Sequence, residues 1–297
     1  MENLRGIVIM MAAMAFFSIE DMFIKQVAQA ISTGQILAIL AFVAVPIFEI
    51  MARLQGQTML HSNFFHPGVL TRNGLEMIGT LGFVTAITQI PLTSATAIFQ
   101  ATPLAVTLGA ALFLGETVRW RRWAAIGVGF CGVLVIIRPG FDGFDPKSLW
   151  AVLAVIGLSG RDLATRRLPK GISNAQLSAW GFLVVGVLGA LLASVQSDWV
   201  MPSHQMTLWL AGASVCAVFG YWGITAAMRA GELSAIAPFR YVRLVFAIII
   251  GTTVFSEKPD IPTYIGAGMI ILSGIYAFWR AKRSQTKVFP ILLKPVS

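Results

Sequence analysis

Ten stretches of this chain, most of them close to the 20 or so residues that a helix needs to cross a bilayer, carry almost no charge. A soluble fold of this size cannot hide so much apolar surface, whereas a bundle facing lipid has no need to. The stretches run roughly over Gly6–Ala28, Gly34–Ala52, Val69–Thr88, Leu92–Leu114, Trp123–Ile137, Leu149–Ala164, Ala175–Val195, Leu208–Met228, Ser234–Phe255 and Tyr264–Trp279, with spans three and six the least apolar. Only 12% of the residues are charged, about half the share in an average soluble domain. The expected fold class is therefore an all-α membrane protein with ten transmembrane helices, and the lipid bilayer is its solvent. The first run is not followed by a small-residue cleavage site and reads as a retained span, not a signal peptide.

The formal net charge of +9 raises the question of nucleic acid. Nucleic-acid binding needs Lys and Arg gathered on one solvated face. Here they stand mostly between the apolar runs, so no nucleic-acid partner is expected. With the N-terminus inside, fifteen basic residues fall in cytoplasmic segments and four, Lys25, Arg138, Lys147 and Lys258, on the opposite side. That bias predicts cytoplasmic N- and C-termini, the latter as a basic tail over 281–297. Cys131 and Cys216 lie inside apolar runs without metal-ligand spacing and read as small packing residues.

The chain resembles itself at an offset of about 141 residues. Ser18, Asp21, Ile31, Ser32, Gln35 and Ala38 match Ser159, Asp162, Ile172, Ser173, Gln176 and Ala179, and Lys25 matches Arg166 conservatively. After a one-residue slip, Ser94-Ala95, Ala97, Phe99 and Leu104 match Ser234-Ala235, Ala237, Phe239 and Leu244; Glu116 matches Glu257 back at the offset of 141. The polar matches carry the weight, because apolar stretches match by chance. Two units follow, 1–140 and 141–280, each of five helices. Five is odd, so the second unit enters the membrane from the side opposite to the first. Inverted halves of this kind occur in many secondary transporters, where exchanging the shapes of the halves opens a central site to alternate sides.

Two five-helix halves of this length resemble the drug/metabolite transporter superfamily, in its ten-helix EamA-type branch. The resemblance rests on Ala95-Thr96-Ala97-Ile98-Phe99, Pro103, Leu114-Gly115-Glu116 and Trp120-Arg121-Arg122-Trp123. Their second-half counterparts are Ala237-Pro238-Phe239-Arg240-Tyr241 and Phe255-Ser256-Glu257-Lys258-Pro259-Asp260. It covers about residues 6–280. It implies a carrier of a small-molecule metabolite in the bacterial inner membrane, with riboflavin or S-adenosylmethionine uptake as the nearest specific reading and export of amino acids or related metabolites as the alternative. Many relatives carry an acid where Arg240 stands and an apolar residue where Arg243 stands.

A charged side chain at mid-bilayer costs roughly 2.5–3.5 kcal/mol on insertion scales, so such residues are paired, face a cavity, or both. Arg240 and Arg243 sit near the middle of span nine, three residues apart and on one face. Two guanidiniums there can hold a carboxylate, a phosphate or an electron-rich ring edge, or each can pair with an acid such as Asp21, Glu76 or Asp162 and only orient helices. Tyr241, Phe99 and Trp222 are candidate aromatic walls of a substrate site, although most such rings serve packing. The repeat mates Asp21 and Asp162, with their neighbours Glu20 and Arg161, are candidates for gating or coupling, set against a local Arg161–Asp162 ion pair. Glu76 is placed to pair with Arg72, and Glu116 and Glu257 read as loop anchors. Pro103 and Pro238 are expected to kink spans four and nine. The spacings Gly127–Gly132 and Gly266–Ser273 suit close helix packing or a homodimer interface.

The chain has no metal-ligand cluster, phosphate-cradling glycine loop or nucleophile elbow, so neither an enzyme nor a cofactor is expected. Without an ATP site, transport would draw on a gradient or on exchange. A membrane-embedded enzyme or assembly factor is the reading from another class, and the inverted repeat speaks against it.

Overall fold

Lipid offers no partner for backbone N–H and C=O groups, so a spanning segment closes its own hydrogen bonds as a helix. The computed structural model describes residues 2–116, 118–141, 143–169, 171–195, 199–229 and 236–286, and all regular structure among them is helical. The helices are α1 (Glu2–Val27), α2 (Thr33–Leu54), α3 (Pro67–Gln89), α4 (Leu92–Phe99), α5 (Thr102–Phe113), α6 (Trp120–Ile137), α7 (Leu149–Thr165), α8 (Asn174–Val195), α9 (His204–Arg229), α10 (Val242–Thr253) and α11 (Ile261–Thr286). Short 3-10 turns cover Ser62–Phe65, Pro146–Ser148 and Ala237–Tyr241. Ser234, the expected start of span nine, and the tail beyond Thr286 lie outside the described residues.

Among the described residues, seven segments are long and apolar enough to cross a membrane: Leu4–Val27, Thr33–Leu54, Leu92–Phe113, Trp120–Ile137, Asn174–Val195, His204–Ile224 and Ile261–Arg280. The expected spans three, six and nine correspond to α3, α7 and the 237–253 segment, and none of these is among the seven. They are the segments that carry Arg72 and Glu76, Arg161 and Asp162, and Arg240 and Arg243. α7 and the 237–253 segment are also short, at 17 residues described each.

The expected span four is one apolar segment, Leu92–Phe113, with its α-helical bonding interrupted once. It divides into α4 and α5 at Gln100–Ala101. Pro103 follows this interruption directly, inside the 22-residue segment Leu92–Phe113. It stands in the first turn of α5, where its missing N–H would have no intrahelical partner anyway. Pro238 likewise opens the 3-10 turn that precedes α10.

The helices pair across the two halves: α1 with α9, α2 with α8, α3 with α7, α6 with α11, and α4 with α10. Exchanging the halves converts the α1–α9 pair into α7–α3 and leaves the other three unchanged. Side-chain bonds repeat at the same 141-residue offset. Ser32 Oγ accepts from Gln35 N at 3.4 Å, and Ser173 Oγ from Gln176 N at 3.2 Å. Ser18 Oγ donates to the Arg243 carbonyl and Ser159 Oγ to the Thr102 carbonyl, both at 3.3 Å.

Between helices in lipid, packing has to come from close contact, because burying apolar surface gains little there. Glycine provides that contact here. A Cβ on Gly157 would stand 2.5 Å from Gly79 N, and one on Gly132 would stand 2.7 Å from Gly266 O. Of the small-residue spacings in spans five and ten, Gly132 and Gly266 are thus used inside the chain, while Gly127 opens onto free space.

Asp260 starts α11. Its Oδ1 accepts from Thr263 N at 3.0 Å and from Thr263 Oγ1 at 2.6 Å, and its other oxygen pairs with Arg138. Partial burial pushes this carboxyl up, but the bonds from Thr263 and Arg138 outweigh that and hold it below the usual carboxylate range. A depressed acid stabilises the fold above its unfolded pKa of about 4, and that contribution disappears as pH falls through the lower folded value. Asp260→Ala is expected to cost about 0.5–2 kcal/mol, as cap removals do, with the gap from the unaltered protein closing in acid. Melting temperatures at pH 7 and pH 3 check both parts.

Candidate functional site

Broken helices come together at the centre. Gln100 and Arg240 are repeat mates at the one-residue slip; Gln100 lies between α4 and α5, and Arg240 in the 3-10 turn that leads into α10. Gln100 Nε2 donates to the Arg240 backbone carbonyl at 3.1 Å. Interrupting a helix frees backbone groups that lipid cannot satisfy, so a buried break needs such a partner. An apolar crevice of about 450 Å³ reaches the first break, with Ile98, Ala101 and Ser159 in its wall.

Arg243 follows the 3-10 turn, at the start of α10. Its guanidinium grips Asp21 in bidentate fashion, Nη2 at 2.7 and 2.9 Å from the two oxygens and Nε at 3.2 Å. The side chains are 11% and 3% exposed. Three rings surround the cation, with centroids 5.2 Å away for Phe17, 5.0 Å for Phe83 and 5.4 Å for Phe99. Ring faces and a carboxylate together replace the water that this charge gives up.

A second charged group lies between α3 and α7. Arg161 donates to Glu76 at 2.9 Å and to its neighbour Asp162 at 2.8 Å, and Arg72 reaches Glu76 at 2.6 Å. Arg72 also donates to the Leu177 carbonyl on α8 at 3.0 Å. The local Arg161–Asp162 pair is therefore present, and Glu76 is tied to two arginines, not to Arg72 alone.

Arg240 differs from all of these. Among the described residues its guanidinium has neither a carboxylate within ion-pair distance nor a side-chain hydrogen bond. The two span-nine arginines thus have unlike surroundings: Asp21 binds one directly, while Asp162 acts on the other from beyond ion-pair distance. Glu20 also makes no ion pair or hydrogen bond among the described residues. The contacts of Phe17 with Gly220 and of Phe23 with Gly212 put it level with Cys216 on α9.

The aromatic candidates separate as well. Phe99 is at the centre, 4.6 Å from the Phe83 ring and in contact with Arg243. Tyr241 is buried at 4% exposure and packs on Gly274, and its hydroxyl has no partner among the described residues. Trp222 is 56% exposed on a flank of α9, while Gly220 and Gly223 form the face against α1. The structure does not bring Trp222 to the charged centre. Phe17 is the residue that reading the sequence missed. It lies four positions before Asp21, one helical turn away, and that spacing is the signal that could have found it. Thr96 Oγ1 and Asn73 Nδ2 are further buried polar atoms without partners among the described residues.

The profile of the EamA-like transporter family matches the chain twice, over residues 4–138 and 146–279. A riboflavin transporter of Vibrio cholerae is 30% identical over 220 residues, covering 73% of each chain. An S-adenosylmethionine uptake transporter of Rickettsia felis is 28% identical over 220 residues, 73% of this chain and 74% of that one. The pseudopaline exporter CntI of Pseudomonas aeruginosa is 24% identical over 281 residues, 94% of this chain and 97% of the exporter. A solved crystal structure aligns over 94% of this chain and 98% of its own with a TM-score of 0.65, and at 19% identity it speaks for the fold alone. Two family matches in tandem, on an all-helical bundle with many apolar spans, place the chain in the EamA-like transporter family of the drug/metabolite transporter superfamily, as a multi-pass protein of the bacterial inner membrane.

Proposed function

We propose that the chain is a secondary transporter that moves a small organic metabolite by alternating access between two inverted five-helix halves, 1–140 and 141–280. It crosses the membrane ten times with both termini in the cytoplasm. The substrate sits where the interrupted helices meet, and Arg240 is its principal contact. One observation carries this reading: Arg240 is a guanidinium in the 3-10 turn before α10, inside the bundle, with Asp162 nearby but no carboxylate within ion-pair distance among the described residues. A buried cation without a directly paired acid is costly unless water or a ligand completes its surroundings. Discontinuous helices near the midplane are also where many secondary transporters bind their substrates.

Uptake of S-adenosylmethionine or riboflavin is the specific reading we favour. Both substrates offer electron-rich or anionic edges to a guanidinium. Relatives so named align over nearly three quarters of the chain. Export is the second reading, favoured by the relative that aligns over 94% of it. Glu20 and Asp162 serve gating or coupling in either direction. The test is uptake into proteoliposomes under an imposed proton or sodium gradient, with unlabelled metabolites as competitors. Accumulation of one solute, lost in Arg240→Ala, supports the reading. Normal transport by that variant removes Arg240 from the site, and no accumulation under any gradient removes the carrier.

A further inference from the structure

Two ion pairs in this bundle are copies of one another. Lys25 Nζ lies 3.4 Å from Glu257 Oε1, and Arg166 Nη1 lies 3.0 Å from Glu116 Oε1. The 141-residue offset carries Lys25 onto Arg166 and Glu116 onto Glu257. Each pair therefore joins the end of the first helix of one half to the loop after the fourth span of the other. The backbone at each acid is built alike. Gly115 and Ser256 precede the acids in the left-handed region, at φ 68° and 52°. Glu116 N then donates to the Ala110 carbonyl at 3.2 Å, and Glu257 N to the Gly251 carbonyl at 2.8 Å. Such a turn ends a helix and aims the next side chain across the helix end.

The pairs sit at opposite ends of the bundle. Glu257 holds the Leu92 amide, and the 22 residues of Leu92–Phe113 then carry the chain toward Glu116, roughly 33 Å at 1.5 Å per residue.

Built alike, they are in unlike condition. Lys25 and Glu257 are 15% and 8% exposed. Lys25 also donates to the Ile87 and Ile90 carbonyls at 3.0 and 2.7 Å. Glu257 accepts from Leu92 N at 2.6 Å and from Thr93 N and Oγ1, both at 3.1 Å. This one pair thus ties together the ends of α1 and α3, the start of α4 and the α10–α11 loop. Arg166 and Glu116 are 49% and 47% exposed, and among the described residues their side chains make only the bond to each other. An exposed ion pair contributes little, whereas a buried, hydrogen-bonded one is hard to separate.

We propose that the two pairs are the alternating closures of the transport path. Lys25–Glu257 seals its end in the present conformation. When the halves exchange shapes, Arg166–Glu116 becomes the buried seal and Lys25–Glu257 comes apart. This rests on the transporter reading with inverted halves, and it adds four residues that touch no part of the substrate site. It also accounts for the pattern above: a two-fold-related pair in a two-state carrier is expected closed at one end and loose at the other in any single state.

Accessibility of the centre tests the idea without any substrate, so its outcome is separate from that of the Arg240 assignment. Cys131 and Cys216 are replaced by Ser, and Phe99→Cys at the first break serves as reporter. A membrane-impermeant maleimide is applied to vesicles of each sidedness. Labelling is expected to be faster from the Arg166 end. Glu257→Gln, and independently Lys25→Gln, should raise labelling from the Lys25 end by at least about fivefold, a modest population shift. Glu116→Gln should lower labelling from that end, because it weakens the closure of the opposite state. The exchanged pair Lys25→Glu with Glu257→Lys should return toward the starting rates. Equal labelling from both ends in the parent overturns the proposal. So does an unchanged rate from the Lys25 end in both Glu257→Gln and Lys25→Gln, which would make the pairs static loop staples.

Discussion

Asp21→Ala is expected to lower the stability of the protein by about 3–5 kcal/mol, the largest single effect of any substitution considered. Asp21 takes three hydrogen bonds from Arg243, and its side chain is 3% exposed. Removing it leaves a guanidinium between Phe17, Phe83 and Phe99 with ring faces as its main counter-charge. Cation–π contacts return about 0.5–2 kcal/mol, less than the loss. Thermal unfolding in detergent reads the effect. A double variant, Asp21→Leu with Arg243→Met, should recover most of it, since an apolar pair of similar volume often matches a buried ion pair. If Asp21→Ala unfolds within about 1 kcal/mol of the unaltered protein, the pair is not the central tie that its geometry implies.

Arg240→Ala is expected to do the opposite. It strands no acid, because no carboxylate is paired with Arg240 among the described residues, so melting should be unchanged or slightly raised. Transport should fall. A hydrogen bond to a charged group contributes about 1.5–3 kcal/mol, which corresponds to roughly 10- to 150-fold in apparent affinity. Arg240→Lys keeps the charge but loses the planar fork, and it should recover only part of the loss. Comparing the two positions separates a structural arginine from a substrate arginine by readout: stability moves at Arg243, and transport moves at Arg240. If both variants lose stability alike, the distinction drawn between them fails.

Much of this was legible before any coordinate. Asp21 and Asp162, Lys25 and Arg166, and Glu116 and Glu257 stand out because a charge in an apolar chain is expensive and its recurrence at one offset is hard to produce by chance. Arg240 and Arg243 were marked for the same reason, but their sequence context is nearly the same. Three residues apart on one face, they read as a matched pair, and only their neighbours in space separate them. Trp222 is a candidate wall by its aromatic ring alone, and the rotation of α9 turns it outward. Pro103 stands out by its missing N–H, and α-helical bonding is interrupted just before it at Gln100–Ala101, where Gln100 also reaches the Arg240 carbonyl.

The sequence by itself determined the solvent, the helical class, the duplication and the set of charges that must be accounted for. It could do so because hydropathy and repeat offset are properties of residue order. Which charge meets which depends on contacts more than 200 residues apart, such as Asp21 with Arg243, and on how far each end of the bundle is closed. Those were decided by the tertiary structure, because pairing energy depends on burial and distance, and neither is written along the chain.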